Sequence, residues 1–189
     1  ATPPTATEGT MIQIVSPTSG GVLTDAGSIG YLDATDSLTA FGLQASTDVQ
    51  LTAAVAHSFY VASNAAFDIY AQAGAIALTG GLSYTLNSIS RTMTIAVSGT
   101  DATGANSVTF GADAQNPTTG GGGIINNGTL NTISAVTKVF DGGQKTARQT
   151  GTITTQSVRF DNAYSLPTYD LSDGAGTATA DVTYTIYVP

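Results

Sequence analysis

The chain has 189 residues, of which 41% are hydrophobic and only 10% are charged. It has 5 Lys and Arg against 13 Asp and Glu, and its net charge of −8 argues against binding to nucleic acid or to an acidic membrane surface. Cysteine is absent, which excludes disulfides and thiolate chemistry, and no stretch approaches the roughly twenty apolar residues of a membrane span.

The first predicted element is a short apolar strand close to the N-terminus. It lies between a polar leader, residues 1–9, and a breaker rich in Ser, Pro and Gly, residues 16–21. Side chains alternate along a strand, so this strand is apolar on both faces and is expected inside a sheet. That sheet is either its own or that of another copy, reached by strand addition. The strand comprises Thr10, Met11, Ile12, Gln13, Ile14 and Val15.

The middle of the chain predicts short strands separated by turns that contain glycine. Residues 49–61 alternate in character, and His57 shares a face with Val55 and Phe59. Residues 64–77 are compatible with a short helix or with a strand, a turn and a second strand. The run Gly120–Gly123 predicts a flexible loop. Further strand candidates are Phe67 to Ala71, Leu82 to Leu86, Thr92 to Val97, Thr132 to Phe140 and Thr152 to Phe160.

The clearest alternation is at the C-terminus. Val182, Tyr184, Ile186 and Val188 alternate with Thr and Tyr residues, which predicts a strand with one buried face. Together the elements predict an all-β protein with an antiparallel β-sandwich, either immunoglobulin-like and pilin-like or jelly-roll-like, and a detached N-terminal strand. Residues 1–21 are interpreted as an extension that carries this strand, and residues 22–189 as a single sandwich domain.

Residues that could carry chemistry are sparse. His57 is the only histidine, Glu8 is the only glutamate, and no serine lies in a Gly-x-Ser-x-Gly motif. We therefore predict no catalytic site, no metal site and no cofactor. Paired aspartates at 33–36 and 170–173 could bind Ca²⁺, but turn formation is the simpler interpretation.

Two modifications can be considered on the surface. Asn127 begins the sequon Asn-Gly-Thr, beside the glycine run, and is a possible N-glycosylation site. An isopeptide crosslink would need Lys138 or Lys145 buried beside an Asn and a carboxylic acid, and the Thr-rich surroundings of Lys138 disfavour it.

Several of these features occur together: the polar leader, the detached apolar strand, the Gly/Pro joint, the Thr-, Ala- and Gly-rich β body, and Tyr184 and Tyr187 in the last strand. In this combination the chain resembles pilins that polymerise by donor-strand exchange. The resemblance implies a subunit of an extracellular, cell-surface filament that donates residues 10–15 to the next copy. Val182, Tyr184, Ile186 and Val188 would border the accepting groove. Implied partners are copies of the chain, with an assembly chaperone or an outer-membrane or surface anchor as further possibilities.

The sequence also leads to expectations about export of the chain and about its route of assembly. The chain starts Ala1-Thr2-Pro3 without a basic-apolar leader, which is interpreted as a mature terminus left after removal of a signal peptide. Many chaperone-usher pilins carry a disulfide, which this chain lacks, so both that route and an archaeal filament of similar design stay open.

Two alternatives to a filament remain at this point. One is a viral or phage capsid, decoration or tail protein, because such sandwiches also use arms that reach neighbours. The other is a carbohydrate-binding adhesin module, in which Tyr164 and Tyr169 would stack on sugars.

Overall fold

The computed structural model describes the backbone of residues 12–15, 22–24, 31–34, 53–78, 83–103, 106–148, 150–166 and 178–189. Within these ranges the chain is built from strands, with two single 3-10 turns at Leu86–Ser88 and Leu130–Ile133. The strands are β1 Ile12–Val15, β2 Val22–Thr24, β3 Tyr31–Ala34, β4 Ala53–Ser63, β5 Asp68–Ala73, β6 Ala77–Leu78, β7 Ser90–Ala96, β8 Gly99–Thr103, β9 Asn106–Phe110, β10 Gly123–Ile124, β11 Gly128–Thr129, β12 Thr137–Asp141, β13 Val158–Leu166, β14 Ala178–Thr179 and β15 Val182–Tyr187.

Two antiparallel sheets contain most of these strands. One has six strands in the order β11-β7-β13-β4-β1-β2, and the other has five in the order β10-β12-β5-β15-β3. β8 and β9 form a separate hairpin, and β6 pairs with β14. The predicted all-β class with antiparallel pairing is confirmed.

The core lies between the two sheets. Phe59 and Phe160 of the six-stranded sheet stack with ring centroids 5.5 Å apart. Across the interface, Phe59 meets Tyr184 at 5.4 Å and Phe160 meets Phe140 at 4.9 Å. These tilted and edge-on rings join residues of the two sheets, and each contact adds about 0.5–1.5 kcal/mol beyond burial of its area.

A second, smaller cluster covers the outer face of the six-stranded sheet. The ring of Phe110 at the end of β9 packs edge-on against Tyr60 of β4, with centroids 5.2 Å apart. The turn after β9 requires Gly111, whose φ is 73° and where a Cβ atom would lie 1.8 Å from the carbonyl oxygen of Val97. Residues 59–62 of β4 are therefore buried on both faces.

Several predicted strand bounds are wrong. Residues 83–85 are irregular and lead into the first 3-10 turn, so the described part of the candidate Leu82 to Leu86 is not a strand. The candidate Thr132 to Phe140 begins in the second 3-10 turn and becomes a strand only at Thr137. The candidate Thr152 to Phe160 begins in turns, and β13 starts at Val158. In the last two candidates, β-branched residues at turns imitated a strand pattern.

The stretch 64–77 follows the second of its two predicted alternatives. It turns after β4 and forms β5 and the start of β6, without a helix. Among the residues that the structure describes, no helix has the length and apolar character needed to cross a membrane.

Candidate site of strand addition

β1 occupies an interior position in the six-stranded sheet, between β4 and β2. It runs antiparallel to β4, where Gln13 is paired with Ala62 and Ile14 with Val61. On its other side Gln13 is paired with Thr24 of β2. In a single copy, the apolar strand predicted from the sequence therefore completes a sheet of its own chain. Donation of this strand to a neighbouring copy stays a prediction.

The hydrogen-bonding direction of β4 can be followed at Ser63. The carbonyl oxygen of Ser63 accepts from the backbone N–H groups of Thr146 at 2.9 Å and Ala147 at 2.8 Å, and its own N–H donates to Thr146 Oγ1 at 2.8 Å. In an antiparallel pair, successive residues point their backbone groups to opposite sides. Residues 60 and 62 of β4 therefore point towards β1, and the next residue in this alternation is Asn64.

The β4 residues paired with β1, and Phe59 just before them, are deeply buried. Phe59 and Val61 belong to the core between the sheets, while Tyr60 and Ala62 belong to the opposite face. Removing β1 would leave this stretch of β4 as a sheet edge with open backbone groups next to apolar side chains. Such an edge is a template for another strand.

A small cavity opens at the end of β4 where β1 begins. Its volume is about 170 Å³, and its apolar wall is formed by Ala62, Ala147 and Ile153. Two of its polar lining groups are used within the chain: Ser63 Oγ donates to the Ala65 carbonyl at 2.7 Å, and Gln156 Oε1 accepts from the Arg148 backbone N–H at 2.6 Å. Asn64 and Arg148 complete the lining.

The predicted C-terminal strand is present, and its alternation is confirmed. In β15, Val182, Tyr184 and Ile186 are buried, and Val188 packs against the core just beyond the strand. β15 lies in the five-stranded sheet between β5 and β3, so it does not pair with β1. Its place at an accepting groove stays a prediction.

A polar cluster that the sequence did not indicate lies inside the core. The Tyr184 hydroxyl donates to Asn162 Oδ1 at 2.8 Å and shares a short hydrogen bond with the Tyr164 hydroxyl. The side chain of Arg91 lies nearby and is fully buried. Its guanidinium donates a hydrogen bond from Nη1 to the Asn126 carbonyl at 3.3 Å. Burial raises the pKa of Tyr184, and Arg91 and Tyr164 oppose that rise.

The side chains of Arg91 and Asn162 form only some of the hydrogen bonds that they could form. Among the described residues, Nε and Nη2 of Arg91 and Nδ2 of Asn162 have no hydrogen-bond partner. Buried donors without partners are costly.

Tyr164 is 4% exposed, so its ring is not available to stack on a sugar, and this part of the adhesin alternative is wrong. Tyr169 lies outside the described residues.

Lys138 forms an ion-pair cluster on the outer face of the five-stranded sheet. Its Nζ lies 2.6 Å from Asp68 Oδ2 and 2.9 Å from Asp141 Oδ1. Asp68 raises the pKa of Lys138 most, followed by Asp141, and Lys138 in turn lowers the pKa of Asp141. A charged ammonium between two carboxylates forms a salt bridge and is not the neutral amine that an isopeptide crosslink requires.

Asn127 is exposed at the edge of β7, and its side chain is hydrogen-bonded to the backbone of that strand. Its Oδ1 accepts from the Met93 backbone N–H at 2.9 Å, and its Nδ2 donates to the Met93 carbonyl at 3.1 Å. β11 pairs with β7 only at Ser90 and Arg91, so the carboxamide continues the ladder beyond β11. Glycosylation of Asn127 stays a prediction, and it would have to share Nδ2 with this contact.

The structure describes only some of the remaining residues that the sequence suggested for catalysis or metal binding. The backbone of His57 lies in β4, in register with Asn162. Asp33 lies in β3 opposite Thr183, whereas residues 35–36 and 170–173 lie outside the described residues. Within the described ranges no group of three potential metal ligands is brought together.

Comparison with protein-family models, with curated proteins and with solved structures finds no match to this chain.

Proposed function

We propose that this protein is a structural subunit of an extracellular filament that polymerises when each copy donates residues 10–15 to the next. The observation that carries the proposal is the position of β1, an interior strand held to β4 in the register Gln13 to Ala62. A strand from another copy can make the same contacts, because exchange of an identical element creates no new interface chemistry.

Sheet physics supports the exchange. β1 has four residues and is joined to β2 through the six-residue breaker 16–21. Its departure exposes the edge of β4 beside the core residues Phe59 and Val61, so the vacated position favours capture of a new strand. Donation from copy to copy is a heterologous contact, which generates an open filament when it does not close into a ring.

The absence of cysteine makes a direct test possible. In the variant with Gln13→Cys and Ala62→Cys, the two thiols lie at paired positions about 5.5 Å apart between Cα atoms, within the range that a disulfide spans. Oxidation of filaments sheared from the producing cells is expected to yield a ladder of covalent multimers on a non-reducing gel.

Matched variants complete the test. Gln13→Cys with Thr185→Cys places the second thiol on β15, and a ladder from this pair in place of the first would put the donated strand beside the C-terminal strand and not beside β4. Deletion of residues 10–15 is expected to abolish filaments in negative-stain electron microscopy. A crosslink found only within single chains, together with folded monomers and no filaments, would overturn the proposal.

A further inference from the structure

We propose that copies of this chain meet end to end through a charged contact, in which Lys145 and Arg148 of one copy bind the carboxylate of Asp181 in the next copy. The inference adds a second contact between the subunits of the proposed filament, and it rests on the proposed function for the existence of that filament. The contact sets the direction in which one copy follows another.

Most of the positive charge of the chain is used within the fold. Of the five Lys and Arg side chains, that of Arg91 is buried in the core, and those of Lys138 and Arg159 each pair with two aspartates. Lys145 and Arg148 are exposed, and neither has a salt-bridge partner among the described residues. Accessible positive charge without a partner in its own chain is therefore concentrated in one short segment.

Hydrogen bonds hold this cationic segment at the end of β4. The backbone N–H groups of Thr146 and Ala147 both donate to the carbonyl oxygen of Ser63, the last residue of β4. The backbone N–H of Arg148 donates to Gln156 Oε1 at 2.6 Å. Because the backbone is already ordered, little further ordering is needed when the two cations meet a partner.

Asp181 lies at the opposite end of the fold. Residues 64–67 join Ser63 at the end of β4 to Asp68 at the start of β5, so the cationic segment lies where β5 begins. β5 runs six residues to Ala73, and the N–H of the following Gly74 donates to the Asp181 carbonyl at 2.8 Å. A strand of this length separates the two ends by roughly 20 Å. Asp181 is exposed and has no salt-bridge partner in the part of the chain that the structure describes.

Charge complementarity identifies the partner as a second copy of the chain. The net charge of −8 makes most contacts between copies repulsive, which leaves the cationic segment as the attractive place for an acidic neighbour. Two cationic segments repel each other, and so do two copies of Asp181, whereas unlike ends attract. A contact between unlike ends is heterologous, and repetition of such a contact generates an open filament.

The contact directs assembly more than it strengthens it. Exposed ion pairs contribute little to affinity, while complementary charges raise the rate of association and exclude wrong orientations. Affinity between subunits therefore comes from the donated strand, and the charged ends select the orientation in which the strand is donated. Salt screens exposed charges, so assembly is expected to slow as the ionic strength rises.

Zero-length crosslinking of sheared filaments tests the contact with the natural residues. A carbodiimide activates the carboxylate of Asp181, the Lys145 amine forms an amide with it, and the carbodiimide leaves as a urea. Within one chain these residues lie at ends roughly 20 Å apart, so a Lys145–Asp181 peptide in the mass spectrum reports two copies. Coupling of Lys138 to Asp141, which are 2.9 Å apart in one chain, is the positive control. Filaments that give the control product without the Lys145–Asp181 product would overturn the inference.

Charge reversal provides an independent test. Lys145→Glu with Arg148→Glu, and separately Asp181→Lys, are each expected to lower the yield of sheared filaments roughly tenfold. The chain with all three changes should recover the yield, because each contact again joins unlike charges. General repulsion between acidic copies predicts opposite effects of the two variants, because one raises and the other lowers the net negative charge.

Controls separate the contact from effects on the fold. Thr92→Glu adds a negative charge at an exposed position in the middle of β7, and it should leave the filament yield unchanged. Thermal unfolding of each variant reports whether the fold is intact. Unchanged yields in both reversal variants, or no recovery in a folded chain with all three changes, would contradict the contact.

The two proposals can fail separately. A ladder from the Gln13→Cys and Ala62→Cys variant without the Lys145–Asp181 product removes the end-to-end contact and keeps strand donation. If the ladder is absent, and the purified chain at low ionic strength gives the Lys145–Asp181 product between copies, the contact stands and strand donation is removed.

Discussion

The carboxamide of Asn127 and the backbone of Met93 form a reciprocal pair of hydrogen bonds at the edge of β7, with distances of 2.9 and 3.1 Å. The side chain thereby supplies the donor and the acceptor that another strand would supply. An edge closed in this way is not open to unintended pairing with another chain.

Asn127→Ala removes both hydrogen bonds and is expected to lower the free energy of unfolding by about 1–2 kcal/mol, measured by urea denaturation. Thr129→Ala is the matched control, because it also destroys the sequon but leaves the carboxamide in place. An equal loss in both variants would contradict a structural role of Asn127. The intact mass of native protein reports separately whether Asn127 carries a glycan.

Lys138→Met is expected to weaken the dependence of stability on pH at both extremes. The pKa of Asp141 is lowered in the folded chain, so its contribution is present above the ordinary value of about 3.9 and is lost as the pH falls through the lowered value. The pKa of Lys138 is raised, so its contribution is present below about 10.4 and is lost as the pH rises through the raised value.

The measurement for Lys138 is urea denaturation across both pH windows. Lys145→Met removes the same charge at an exposed position, and it should keep the slopes of the unaltered protein. Identical slopes in the two variants would show that the Asp68–Lys138–Asp141 cluster does not cause the pH dependence.

Tyr184→Phe is expected to cost about 1–3 kcal/mol at neutral pH, because Asn162 Oδ1 loses its donor inside the core. Burial raises the pKa of Tyr184, so the folded state loses stability as the pH rises above the ordinary tyrosine value of about 10. The variant should therefore lose less stability in alkali. Tyr187→Phe, at a half-buried tyrosine of the same strand, is the control, and tyrosinate absorbance follows the transition.

Arg91→Met is expected to leave stability unchanged or to raise it. The guanidinium is 1% exposed, and two of its nitrogen atoms have no partner within the described part of the chain. Replacement of a poorly paired buried charge by an apolar side chain of similar size is commonly neutral or stabilising. A clear fall in thermal unfolding temperature would show that Arg91 has a partner that compensates its burial.

Part of this structure follows directly from local pattern. The alternation that ends the chain predicted β15 and its buried residues Val182, Tyr184 and Ile186, because a period of two is itself the geometry of a strand at an interface. The apolar cluster of residues 10–15 likewise predicted a strand, of which the structure describes Ile12–Val15. Composition was sufficient for the all-β class, because abundant β-branched residues and few charges favour sheet.

The arrangement of these strands was decided by contacts between residues far apart in the chain. No local pattern indicates that Thr146 and Ala147 bond to Ser63, or that the segment after them walls a cavity beside β1. Tyr164 has the same local appearance as an exposed tyrosine, and it is buried because Tyr184 approaches it from the opposite sheet. The sequence determined the all-β class and the alternation of the C-terminal strand, whereas only tertiary packing decided where the strands of the middle of the chain begin and which strand lies beside which, because pairing energy depends on the partner as well as on the strand.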